Sequence, residues 1–187
     1  MICFIAFLGF CLENAWIMLR KGYIDNRNMN LPFLLGYGLM VIGIYIIIGT
    51  PKTNVLSYFM TTFILVSIGE IILGKSVEKL CGIYYWDYTT LPLHVTRYTS
   101  FFTSIGFSFI ITGFMDTFFI KIMDGIHNIE SVLFDVLTVI MFIMLVVDFI
   151  YSFRYMIIHK DFYDKWKRSV NLKIVVNLKQ IRNRKVL

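Results

Sequence analysis

The stretch VLSYFMTTFILVSIGEIILGKS, residues 55–76, decides how this chain is read. Its last eight residues, GEIILGKS from Gly69 to Ser76, fit the phosphate-loop pattern G-x-x-x-x-G-K-[ST] at every specified position. A working phosphate loop needs a buried strand before it, a glycine-rich loop whose backbone N–H groups wrap the phosphates, and a helix after it. Here the four variable positions are Glu, Ile, Ile and Leu, and they continue an apolar run that begins near Val55. N–H groups inside a helix are already bonded to the preceding turn and cannot cradle phosphate. The companion-like stretch MLVVD, ending at Asp148, likewise lies within an apolar run. The pattern therefore reads as a membrane helix that carries an acid, Glu70, and nucleotide binding is not expected.

Composition points the same way. The 187 residues are 58% hydrophobic with a mean hydropathy of +0.72, and only 16% are charged, against about 25% in soluble domains. Apolar runs of about 20 residues, the length that crosses a bilayer core, recur along the chain. Five spans are expected, at about 1–19, 31–49, 55–74, 98–115 (reaching on toward Met123) and 132–153, with breaks such as GTPKTN at 49–54. Such runs satisfy their own backbone only as helices, and the alternation of barrel strands is absent. The expected architecture is all-α: a bundle of about five transmembrane helices over residues 1–158, then a basic amphipathic cytoplasmic tail over 159–187. No repeat or low-complexity segment interrupts it.

Charge placement sets the expected orientation. Three Lys/Arg follow the first span (Arg20, Lys21, Arg27), three follow the third (Lys75, Lys79, Arg97) and ten lie from Arg154 onward, 16 in all, against Lys52 and Lys121 on the other side. The positive-inside rule then puts the N-terminus outside and the C-terminus in the cytoplasm of a multi-pass cell-membrane protein. The net charge of +6 reports topology, and nucleic acid is not an expected partner. The first span lacks a basic leader and is interrupted by Glu13 and Asn14, so it reads as retained and not as a cleaved signal. Cys3, Cys11 and Cys81 have no metal-ligand spacing or obvious disulfide pair, and His94, His127 and His159 sit on separate segments, so no metal or cofactor is expected.

On a helix, Glu70, Gly74 and Glu78 stack at i, i+4 and i+8, with the carboxylates about 12 Å apart along the axis. Gly74 would let a neighbouring helix approach between them. Lys75 and Lys79 mark the cytoplasmic end, where their charged heads reach water.

From Glu70 the chain reads EIILGKSVEKLCGIYYWDYT, which resembles the signature of the CmpB-type ABC-transporter permease family: E-x3-G-x3-E-K-x2-G followed by W-D-Y-[ST]. The matching positions are Glu70, Gly74, Glu78, Lys79, Gly82, Trp86, Asp87, Tyr88 and Thr89. Upstream, FLGFCLE ending at Glu13, then Asn26 and Arg27, then Tyr37 and Gly38 also agree, so the resemblance covers roughly residues 7 to 115. Asn28 stands where the family tends to have Gly. The stretch 92–98, PLHVTRY, resembles a P-F-N-x-x-G-R segment with one residue fewer and His94 in place of Asn. The resemblance implies a small polytopic membrane protein of transporter type, with no defined substrate.

Glu13, Glu70, Asp135 and Asp148 are the acids placed within spans, each costing about 2.5 to 3.5 kcal/mol at the bilayer centre and so needing a partner or a wet cavity. Arg97, with Asn14 and Arg27 behind it, is the counterpart expected for Glu13 and Glu70. The expected site is one cluster of Glu13, Glu70 and Arg97 closed by Asp87 from the signature loop that also carries Trp86 and Tyr88. It is readable either as a structural network or as a substrate or ion pathway. Asp135 and Asp148 are expected to snorkel. Ser104, Ser108 and Thr112 form a small-residue stripe for helix packing. Beyond His159, Tyr163, Trp166, Val170, Ile174, Leu178 and Ile181 recur at helical spacing, as in a basic helix lying on the inner leaflet.

Two function classes follow: a permease or membrane subunit of an ABC-type transporter, or a non-transporting assembly or sensing factor or lipid-modifying enzyme. The sequence holds no recognisable nucleophile, base and substrate constellation, so an enzyme is not expected. Expected partners are the lipid bilayer, an ATPase subunit on a separate chain, and a second copy of this chain.

Overall fold

A computed structural model describes residues 1–51, 54–91, 93–129 and 131–170. Helix α1, Ile2–Lys21, stops at Gly22, whose positive φ of 76° turns the chain and aims its N–H at Met18 O. A short strand β1, Tyr23–Asp25, and an irregular segment lead to α2, Leu35–Ile48. Helix α3, Val55–Cys81, starts where the Asn54 side chain accepts from Ser57 N at 2.9 Å and ends at Gly82, φ 68°. Helix α4, Phe101–Phe114, runs through a π-helical turn, Met115–Phe119, into α5, Ile120–His127. Helix α6, Val132–His159, is capped by Ser131, and β2, Lys167–Ser169, follows.

Four of these apolar stretches, Ile2–Lys21, Val55–Cys81, Phe101–His127 and Val132–His159, have 20, 27, 27 and 28 residues. At 1.5 Å per residue each matches or exceeds a bilayer core of about 30 Å. Their outward faces are apolar: α6 exposes Leu133, Leu137, Ile140, Met144 and Val147, a surface suited to lipid and not to water. The chain is an all-α membrane bundle, with a core where Ile5, Val41, Ile44 and Val66 meet Met115 and Phe119. The π turn lets both Met115 and Phe119 point inward, at 1% and 0% exposure.

The second span departs from expectation. In place of a helix over 31–49, α2 has 14 residues, about 21 Å, and the chain before it does not coil. Pro32 has no N–H to give a helix and biases Leu31 toward extended backbone. The freed groups find partners elsewhere: Asn30 N and Leu31 N donate to the Asp148 carboxylate at 3.0 and 2.8 Å, and Leu34 N to Ala6 O at 2.9 Å. Ala6, Leu35 and Leu145 form one buried cluster, and Leu145 is the midpoint of α6. Helix α2 thus starts level with Ala6 and the middle of α6, and the irregular segment 26–34 precedes it. Irregular backbone at such depth persists only where protein shields it.

The segments after α1, α3 and α6 meet at one end of the bundle. Tyr85 Oη donates to Arg27 O at 2.8 Å, Lys160 Nζ to Leu80 O at 2.9 Å, and β1 pairs antiparallel with β2, Tyr23 opposite Ser169. This pairing corrects the reading of the tail. After Lys160, whose φ of 53° ends α6, the chain to residue 170 is extended and not helical, because the open backbone edge of β1 captures it. Tyr163 turns inward against Val77, Cys81 and Met156. The expected positions Ile174, Leu178 and Ile181 lie outside the described residues.

Candidate functional site

Two linked groups of polar side chains occupy the loop end of the bundle. The first is built on the broken crossing. Glu13 of α1 lies 3.6 Å from Arg27 Nη2 and accepts from the Tyr37 hydroxyl of α2. Asp25 Oδ1 lies 3.4 Å from Arg27 Nη1 and accepts from Arg27 N at 2.9 Å, while Asn14 Oδ1 takes the Asp25 N–H at 2.9 Å. Arg27 and Asn28 are both left-handed, φ 48° and 60°, which turns the guanidinium back toward Glu13. Burial works against the charge of Arg27, but Glu13, Tyr85 and Asp25 together outweigh it and hold its pKa above the ordinary value. Burial likewise pushes the Tyr85 phenol up to about 12.

The second group surrounds Glu70, which is 6% exposed. Its Oε2 accepts from Thr99 Oγ1 at 2.8 Å and Ser104 Oγ at 2.9 Å. Tyr88, from the loop after α3, lies within electrostatic reach of both Glu70 and Glu13. Burial first, and then these two acids, keep the Tyr88 phenol neutral far above its ordinary range.

The loop folds back over this face. Trp86 Nε1 donates to Tyr98 O at 2.8 Å and Tyr88 N to Arg97 O at 2.9 Å. Tyr98 packs over Gly74, where an added Cβ would meet its ring at 2.6 Å, and its hydroxyl donates to Glu78. Gly74 therefore admits a loop ring and not a neighbouring helix.

The expected single cluster divides. Glu13 and Glu70 belong to one polar seam with Tyr88 between them, but Arg97 is not in it. Arg97 Nε pairs with Asp87 at 3.7 Å, both side chains being over 40% exposed, and its guanidinium lies over the Tyr84 ring. Bonds from the Thr89 N–H and hydroxyl, and then Arg97, hold Asp87 below the ordinary carboxylate pKa. The tight loop 94–100, closed by Val95 N and Thr96 N on Thr99 O, keeps Arg97 at its rim, whereas the left-handed turn at 27–28 aims Arg27 inward. Asp148 does not snorkel: it is 8% exposed and holds the 30–31 backbone, aided by Asn30 Nδ2 at 2.6 Å. Asp135, in the first turn of α6, is exposed. Residues 69–76 lie wholly within α3, and Ser76 Oγ donates to Ile72 O at 2.7 Å.

Tyr85 and Thr99 join the site without being among the residues expected there, and Ser104, expected to serve helix packing, bonds Glu70. Glu13, Arg27 and Tyr37 were all quoted in the upstream block of the resemblance, and it is these three that meet.

A broken-helix membrane bundle with buried acids at its loop end is the class these features define. Over residues 1–153 the chain matches the family described as "Putative ABC-transporter type IV", ABC_trans_CmpB. The protein belongs to that family. Comparison with curated proteins and with solved structures returned no match.

Proposed function

We propose that this chain is the permease, or membrane-embedded subunit, of an ABC-type transporter, lying in the cell membrane with its C-terminus in the cytoplasm and driven by an ATPase on a separate chain. Family membership supports the transporter class. The observation that carries the reading further is the short helix α2 entered through an irregular segment, with the Glu13–Arg27 pair beside it. Interrupted helices with charges at their breaks are where secondary transporters hold substrates and ions, and the permease role is inferred here by that analogy.

One observation favours a second reading, a non-transporting assembly or sensing factor. Glu70, Glu13 and Asp148 are each satisfied by donors of the chain itself, as in a network that specifies helix packing. Purification of the tagged chain from native membranes in mild detergent separates the two. A permease brings down an ATPase whose hydrolysis rate changes in Glu13→Gln. Recovery with no ATPase, together with a marked loss of thermal stability in Glu13→Gln, supports the second reading.

A further inference from the structure

Three oxygens at the centre of the Glu70 group pose a problem of hydrogen count. Glu70 Oε2 is 2.8 Å from Thr99 Oγ1 and 2.9 Å from Ser104 Oγ, and the two hydroxyls are 2.9 Å from each other. All three separations are hydrogen-bond distances. A hydroxyl supplies one hydrogen and an ionised carboxylate none. With Glu70 ionised, two hydrogens serve three contacts and one pair of oxygens faces lone pair to lone pair. One more proton, on Glu70, completes the ring: Glu70 donates to Thr99, Thr99 to Ser104, and Ser104 to Glu70.

The charges around the ring agree with that count. Among the described residues no Lys, Arg or His lies within ion-pair distance of Glu70; Arg27 is taken by Glu13 and Asp25. The titratable groups that face Glu70 are Tyr88 from the loop and Glu13 from α1, the first neutral and the second of like charge. From α4, the hydroxyl of Ser104 is bonded to Glu70.

We infer that Glu70, Thr99 and Ser104 form a proton-binding site inside the bundle, which fills as the pH falls below neutral. Thr99 and Tyr88 both belong to the loop between α3 and α4, so proton occupancy and the closed position of that loop stabilise each other. Loss of the proton leaves a buried carboxylate beside Glu13 and favours release of the loop. The inference does not rest on the transport reading, since a sensing factor would use the same site.

The test is infrared spectroscopy of the purified protein in lipid at pH 5, with chloride salts of sodium and of potassium. A protonated-carboxyl C=O band that shifts in D2O, is the same in both salts and is lost in Glu70→Gln is the expected result. Because any variant can misfold, the wild-type chain is also treated with an apolar carbodiimide, which reacts with protonated carboxyls, and the adduct is mapped by mass spectrometry to Glu70. Absence of both band and adduct overturns the proposal. So does a band that Glu70→Gln leaves intact, or one that sodium alone abolishes, which would make the ligand an alkali cation.

Discussion

At the scale of single residues, the placement of Arg27 and Arg97 makes a sharp comparison. Removing one member of a buried pair leaves the other without its partner and costs about 3–5 kcal/mol, whereas a solvent-exposed pair contributes about 0–1 kcal/mol. In thermal unfolding in detergent, the cycle Glu13→Gln with Arg27→Gln is expected to be strongly coupled, and Glu70→Gln with Arg97→Gln additive. Coupling in the second cycle would place Arg97 back in the seam. Asn28, φ 60°, explains a difference noted in the sequence: it stands where the family tends to have Gly, and Asn is the residue that best replaces Gly in left-handed backbone. Asn28→Gly should change stability by a few tenths of a kcal/mol, and Asn28→Val should lower it by about 1–2 kcal/mol. Tyr85 provides a pH dependence. Its folded pKa, about 12, exceeds the ordinary value near 10, so the folded state holds the proton more tightly. Stability is intact below pH about 10 and falls as pH rises toward 12. Unfolding of Tyr85→Phe measured across that window should show a shallower fall, and an unchanged slope would place the titration elsewhere.

At the scale of elements, the break before α2 depends on one side chain from another helix. Asp148→Leu strands Asn30 N and Leu31 N in a water-poor setting, at about 1–3 kcal/mol each. Hydrogen exchange at residues 28–34 should accelerate and the melting temperature drop, while Asp148→Asn, which keeps one acceptor oxygen, should fall between. Unchanged exchange in Asp148→Leu would mean that packing against α1 holds the segment alone. That packing is close: a Cβ on Gly9 would meet the Tyr37 ring at 2.5 Å, and one on Gly38 would meet Ile2 O at 2.7 Å. Small residues at these two positions let α1 and α2 cross tightly enough for Tyr37 to reach Glu13.

At the scale of the whole molecule, the described parts of the three Lys/Arg-rich segments gather at one end and the C-terminal ends of α2 and α5 lie at the other, the alternation that the 16 to 2 charge count leads one to expect. Which end faces the cytoplasm is a prediction. Single cysteines placed at Thr50 should react with an impermeant thiol reagent from outside intact cells, and ones placed at Asp161 only after lysis. The reverse pattern would invert the proposed orientation and move the ATPase-facing side to the other end.

The class, four of the five expected spans and much of the cast were legible in the sequence. An apolar run of 20 residues can satisfy its backbone in lipid only as a helix, whatever its neighbours do, so Val55–Cys81 and Val132–His159 followed from their residues alone. The acids Glu13 and Glu70 stood out because each is costly there, and the spaced matches around Arg27 and Tyr37 named their surroundings. Who pairs with whom was decided by tertiary structure. Arg27 and Arg97 are chemically alike in the sequence, and only a left-handed turn at 27–28 and a tight loop over 94–100 separate the half-buried guanidinium from the exposed one. The helix expected over 31–49 gave way because Asp148, 117 residues beyond Leu31, offers its backbone a better partner than its own preceding turn, and no local pattern carries that contact.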